Sequence, residues 1–181
     1  MDTKMKTLAQ IYDPTISDKG TNHSYITDVY ETLFAPFRES AKNILEIGAY
    51  DGGSLFMWKE YFPNAMIYGI ELAKRVEIND PRIKQIIASG YLPDTLKLIP
   101  EELDIAIDDG PHTPTSQITF MELYIKLIKP NGLLIIEDIS AEHVDTLMRH
   151  IPESHQNRYV MHDLRHRRNG RWDNIMLVIT K

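Results

Sequence analysis

An apolar run at 43–47 (NILEI) closes on Glu46-Ile47-Gly48-Ala49-Tyr50-Asp51-Gly52-Gly53, and a helical pattern follows at once. Glycines placed there let the backbone turn sharply and come close to a ligand beside the positive end of a helix. Alone, such a turn is also an ordinary tight strand-to-helix connection. Two details narrow it. Glu46 precedes Gly48 by two positions, and a carboxylate there suits a cationic amino-acid group better than a pyrophosphate. The next apolar run ends in Glu71, 19 residues beyond Gly52, where an acidic side chain can take both ribose hydroxyls. The pair favours an adenosine ligand carrying positive charge. A nicotinamide dinucleotide fits less well, because the spacing is G-x-x-x-G-G rather than G-x-G-x-x-G.

Outward from this stretch, short apolar runs recur at 43–47, 66–71, 83–88, 103–107 and 132–137. They are nearly continuous rather than alternating, as expected of strands buried on both faces. Helical patterns lie between them. Ser54 is a candidate cap for a helix whose Leu55, Trp58 and Phe62 share a face. Thr113 and Pro114 form an N-cap and N1 pair, followed by Ile118, Met121, Ile125 and Ile128 at helical spacing. Lys129-Pro130-Asn131-Gly132 is expected to end that helix and start the next strand. A further helix is expected over 24–37, behind a polar loop at 17–23. Two last strand-like runs, 158–164 and 174–180, are joined by Arg168-Asn169-Gly170-Arg171, a hairpin turn. The expectation is an α/β, Rossmann-like fold: a mostly parallel seven-stranded sheet with helices on both faces and a C-terminal antiparallel hairpin.

The 181 residues fit one domain, with 1–40 as an N-terminal helical or lid segment and 41–181 as the core. A hydrophobic share of 43% and a charged share of 25% are ordinary for a globular protein. No apolar run approaches the ~20 residues needed to cross a bilayer, and the polar N-terminus does not open a signal peptide. The absence of cysteine excludes disulfides and thiolate chemistry and fits a cytoplasmic protein. Net charge of −6 favours neither nucleic acid nor a membrane surface as partner. The one basic cluster, Arg165-His166-Arg167-Arg168 with Arg171, reads as a solvated turn or a substrate rim.

The fourth run ends in Asp108-Asp109-Gly110-Pro111-His112 and the fifth in Glu137-Asp138. Adjacent strands deliver these to one carboxyl edge, where open α/β sheets bind ligands. Four carboxylates gathered there repel one another, and a hard divalent cation with oxygen ligands, Mg2+ or Mn2+, relieves the repulsion. An isolated acid in such a place is equally a helix cap or a partner for backbone amides. His112 lies three residues past Asp109 and can take the proton from a hydroxyl acidified by the metal.

Residues Glu46 to Gly52, Glu71 and the Lys129–Gly132 bend resemble class I S-adenosylmethionine-dependent methyltransferases. The resemblance implies that Gly48 and Gly52 line the methionine half of the cofactor and that Glu71 holds its ribose, with Tyr50, Ser54 and Asp108 as further cofactor contacts. Such enzymes often follow the third strand with an acid against the adenine. Here Ala88-Ser89-Gly90-Tyr91 leaves Ser89 or a backbone group to serve. The segments Ile107–His112 and Ile135–Asp138 resemble a narrower group, the metal-dependent O-methyltransferases acting on sugars of macrolides and other glycosylated natural products. That resemblance assigns metal ligation to Asp109, Glu137 and Asp138, and the general base to His112 with Asp109 beside it. It also places Asp18–Tyr25 over the cofactor, with Lys19 and Thr21 as contacts and His23 and Tyr25 toward the substrate. Family members often carry a large extra N-terminal domain. With about 40 residues before the first strand, the pocket here is expected to be shallow or completed by a second subunit in a homodimer. Asp163-Leu164-Arg165 and Arg171-Trp172-Asp173 are expected to form ion pairs across the hairpin, or else Arg165 or Arg171 binds the acceptor. The acceptor is expected to be a nucleotide sugar, a glycan or a glycosylated small molecule. A catechol-type O-methyltransferase and a non-catalytic cofactor-binding module are the alternatives.

Overall fold

The computed structural model describes residues 5–167 and 171–181. Seven strands form one sheet: β1 (Asn43–Ile47), β2 (Met66–Glu71), β3 (Ile83–Ile87), β4 (Leu103–Asp108), β5 (Ile128–Ile136), β6 (Tyr159–Asp163) and β7 (Ile175–Thr180), in the order β3-β2-β1-β4-β5-β7-β6. The first five run parallel, while β7 is antiparallel to both β5 and β6. The expected mixed sheet and closing hairpin are present. Of the turn that joins them, Arg168, Asn169 and Gly170 lie outside the described residues.

Alternate side chains of each central strand enter different cores, which is why those strands read as unbroken apolar runs. On one face, Ile44, Ile105, Ile107 and Ile135 pack with Leu8 of α1 (Leu8–Ile11), with Tyr30 and Phe34 at α2 (Glu31–Phe34), and with Leu55 and Trp58 of α3 (Gly53–Tyr61). On the other, Leu45, Ala106, Leu134 and Ile136 pack with Phe120, Met121 and Tyr124 of α4 (Pro114–Tyr124) and Leu147 of α5 (Val144–His150). The N-terminal helix expected over 24–37 is composite, a π turn at Ile26–Tyr30 running into an α turn and a 3-10 turn that ends at Phe37.

Four local expectations are corrected. Gly52, at φ +80°, is the N-cap of α3, and the Ser54 hydroxyl instead donates to Glu46 at 2.6 Å. In α4, capped by Thr113 as expected, the buried stripe is Gln117-Phe120-Met121-Tyr124 rather than the Ile118 row, because the two large rings fill that face. The Lys129–Gly132 bend lies inside β5, which starts at Ile128. The irregularity in the β4–β5 register absorbs the bend, and Asn131 adopts φ +64°. The arginine–aspartate pairs do not cross the hairpin. Arg165 clamps Asp163 and Arg171 clamps Asp173, each with two hydrogen bonds inside its own arm.

The parallel ladder continues past the strand ends. Gly48 N–H donates to Ile70 O (3.0 Å), Asp109 N–H to Ile47 O (2.9 Å) and Glu137 N–H to Asp108 O (3.0 Å). These bonds staple together the loops after β1, β4 and β5 where the strand order reverses, the place where open α/β sheets bind ligands.

Candidate active site

A cavity of about 470 Å3 opens at this switch point, lined among others by Gly48, Tyr50, Glu71, Gly90, Tyr91 and His112. A second, of about 760 Å3, lies between the glycine loop and the N-terminal segment and contains Lys19, Thr21, Gly48, Ser54 and Asp109. The two share Gly48, Tyr50 and Asp109, so they form one bent cleft. Gly48 holds φ +86°, and a Cβ there would run into the carbonyl oxygen of Asp109. The glycine loop and the Asp109 loop therefore touch through bare backbone.

Around the first cavity, Glu71 accepts from the backbone N–H groups of Tyr50 (3.0 Å) and Leu72 (2.8 Å). These bonds fix the Glu71 carboxylate at the cavity lining. Ser89 does not line that cavity, whereas its neighbours Ala88, Gly90 and Tyr91 do. Tyr91 donates to the buried Asp108 at 2.5 Å. Burial pushes the Asp108 carboxyl up to about 7, against the pull of that hydrogen bond. Asp108 thus acts on the cavity through Tyr91.

The carboxylates segregate by partner. Glu46 is fully buried and accepts from Ser54 and from Trp58 Nε1 (2.9 Å). Asp109 gives one oxygen, Oδ2, to the Lys19 ammonium at 2.6 Å, and its Oδ1 lies 3.9 Å from His112 Nε2. Asp138 gives Oδ1 to the Tyr25 hydroxyl at 2.6 Å, and its Oδ2 lies 3.7 Å from the same nitrogen. Each aspartate is thus anchored inward by one oxygen and presents the other to His112. Glu137 is turned away from that gap, with one oxygen on Lys19 (2.6 Å) and the other on the Tyr30 hydroxyl. Burial raises the Glu46, Asp109 and Glu137 carboxyls while the Lys19 ammonium pulls them down.

Donor atoms of Asp109, His112 and Asp138 all fall within 4.8 Å of one another. Asp109 Oδ1 and Asp138 Oδ2 both face this gap, and such hard carboxylate oxygens suit a divalent cation of the Mg2+ or Mn2+ kind, with the His112 imidazole beside it. The backbone adds a second sign. His112 (φ +54°), Asp138 (φ +53°) and Tyr50 (φ +45°) are non-glycine residues in the left-handed region; His112 and Tyr50 line this cleft and Asp138 lies beside His112. Such strain persists only where surrounding structure enforces it, and it concentrates at functional sites.

Of the other residues singled out in the sequence, Tyr25 and His23 are buried and line neither cavity. Tyr25 fixes Asp138, and His23 Nδ1 approaches the same carboxylate at 3.2 Å. Arg165 and Arg171 are spoken for by their aspartates. Three residues at the site have no counterpart in the sequence reading. Gln117 donates to the Glu137 carbonyl oxygen at 3.1 Å, and Tyr30 and Tyr91 each hold a carboxylate. The available sign for Gln117 was a polar side chain on an otherwise apolar helix stripe.

Strand order, glycine loop and acidic strand end together define the class I S-adenosylmethionine-dependent methyltransferase fold. Within that class the chain is similar to sugar O-methyltransferases of glycosylated natural products. It is 36% identical over 137 residues to the 8-demethyl-8-alpha-L-rhamnosyl tetracenomycin-C 2'-O-methyltransferase of Streptomyces olivaceus, covering 70% of this chain and 36% of the relative. It is 31% identical over 125 residues to the mycinamicin VI 2''-O-methyltransferase of Micromonospora griseorubida, covering 64% and 31%. The chain thus spans about a third of the length of these curated relatives. The solved structure of the MycE methyltransferase from the mycinamycin biosynthetic pathway, in complex with Mg, SAH and mycinamycin VI, superimposes with a TM-score of 0.76 at 22% identity, over 98% of this chain and 55% of that one. No family model matches the chain. Among the described residues, no helix is long and apolar enough to cross a membrane.

Proposed function

We propose that residues 1–181 form a single cytoplasmic domain that transfers a methyl group from S-adenosylmethionine to a sugar hydroxyl of a glycan or glycosylated small molecule, assisted by Mg2+ or Mn2+. The observation that carries this reading is the pair of aspartates, Asp109 and Asp138, each anchored by one oxygen and offering the other to His112 at the edge of the cleft. The names of the relatives support the sugar acceptor, the SAH and Mg bound in the MycE structure support the donor and the cation, and the absence of cysteine supports the compartment.

Glu71 holds the donor's ribose, and the glycine loop with Gly48 and Ser54 bounds its amino-acid half, behind which the buried Glu46 holds the Ser54 hydroxyl. Asp109 and Asp138 would hold the divalent cation, which supplies a lowered hydroxyl pKa. His112 lies at the cleft mouth with 36% of its side chain exposed, where it takes the proton from the acceptor at Nε2. Asp138 is kept in place by Tyr25 and Gln117, so the rest of catalysis is positioning for direct displacement.

With labelled S-adenosylmethionine and a panel of rhamnosides, a nucleotide sugar and a catechol, the expected result is transfer to a sugar acceptor that falls to background in a strong chelator. Mg2+ added in excess is expected to restore it. Full activity in the chelator defeats the metal half of the reading, and exclusive transfer to the catechol defeats the sugar half.

A further inference from the structure

Lys19 comes from a polar loop, yet only 2% of its side chain is exposed. Its ammonium lies 2.6 Å from Asp109 Oδ2, 2.6 Å from Glu137 Oε2 and 3.1 Å from Glu46 Oε1. An ammonium carries three protons, and here three carboxylates surround it, so it keeps none for the donor or the acceptor. Although burial opposes its charge, those carboxylates hold the Lys19 ammonium well above the ordinary lysine value.

The three partners have different allegiances. Glu46, the penultimate residue of β1, lies on the donor side and is shared with Ser54 and Trp58. Asp109 and Glu137 follow β4 and β5, beside the gap that faces His112. The same N-terminal segment sends Tyr25 to Asp138 and Tyr30 to Glu137. One short stretch of chain therefore contacts the carboxylates at the ends of three strands, and Lys19 is its charged member. Arg171, whose charge also feels Asp138, is clamped by Asp173.

We propose that Lys19 is a positioning residue, an internal counter-ion that ties the donor-side carboxylate to the metal-side pair and keeps both in register before a divalent cation binds. Its role toward the cation rests on the metal reading given above. Its role as counter-ion rests on the contacts alone. Removing one member of a buried ionic cluster strands the others without compensation. The cost then depends on how many carboxylates remain charged, which a merely space-filling lysine would not show.

The test is thermal denaturation of the full chain at neutral pH, with and without Mg2+, for the wild type, Lys19→Met, Glu137→Gln and the double variant. Lys19→Met is expected to melt lower by on the order of 10 °C. Glu137→Gln is expected to raise the melting temperature more in the Lys19→Met background than in the wild type, and Mg2+ to raise Lys19→Met by more than the wild type. Equal effects of Glu137→Gln in the two backgrounds overturn the proposal. Should Lys19→Met alone fail to fold, a folded double variant supports the proposal and an unfolded one overturns it. A wild type indifferent to Mg2+ defeats the metal reading instead, and the Glu137→Gln comparison still decides the role of Lys19.

Discussion

Replacing His112 with alanine is expected to slow methyl transfer by about 10^2- to 10^4-fold, the usual contribution of a positioned general base, while S-adenosylhomocysteine still binds. His112 Nε2 lies 3.7 Å from Asp138 and 3.9 Å from Asp109, too far for a hydrogen bond to either, so the ring is not a fixed strut of the carboxylate cluster. Its position follows from the backbone, which turns left-handed at φ +54° immediately before the Thr113 cap of α4. The loss should therefore appear in kcat rather than in donor affinity. Asparagine tolerates the left-handed region, so His112→Asn keeps the loop comfortable while removing the base. Steady-state rates and titration calorimetry on both variants check this. Near-normal turnover in His112→Asn would remove the imidazole from the reaction.

The second large effect is expected at Gly48. Gly48→Ala should destabilise the protein by more than about 4 kcal/mol, placing it among the exceptional single substitutions. Two independent causes act together. The residue holds φ +86°, and the added methyl would strike the Asp109 carbonyl oxygen, a backbone atom that cannot swing aside. Relief would require parting the loops after β1 and β4, which breaks the Asp109 N–H to Ile47 O bond and opens the wall between donor and aspartates. Gly52→Ala, although also at positive φ, meets the flexible end of Ile78 and should cost less. Urea denaturation of the two variants gives the comparison. Wild-type stability in Gly48→Ala would mean that the two loops are not in contact.

The parts of this account that were legible in the sequence share a physical reason. Strands β1, β2 and β4 are largely buried on both faces, so composition outlines them to within a residue, and the edge strand β3, with Lys84 and Ile87 exposed, is still marked by its isoleucines. Thr113-Pro114 marks a helix start through local chemistry. The start of β5 was hidden because a bulge lets Lys129–Gly132 run inside a strand although its residues favour a turn. Gly52 rather than Ser54 caps α3 because a left-handed glycine closes the loop and Glu46 competes for the serine hydroxyl. In the site, the aspartates and His112 stood out because one short motif carries two of them. The destination of Lys19 did not. The resemblance placed Lys19 against the cofactor, and the carboxylates that bury it instead lie 27, 90 and 118 residues further along the chain. The same separation hid the turning of Glu137 toward Lys19 and Tyr30, away from the gap between Asp109 and Asp138.

That gap is the point on which the functional reading depends, and Mn2+ reports on it directly. Crystals grown with S-adenosylhomocysteine and Mn2+, measured at the manganese absorption edge, are predicted to show one anomalous peak bonded to Asp109 Oδ1 and Asp138 Oδ2, within reach of His112. A peak elsewhere, or none with the donor site filled, would contradict it.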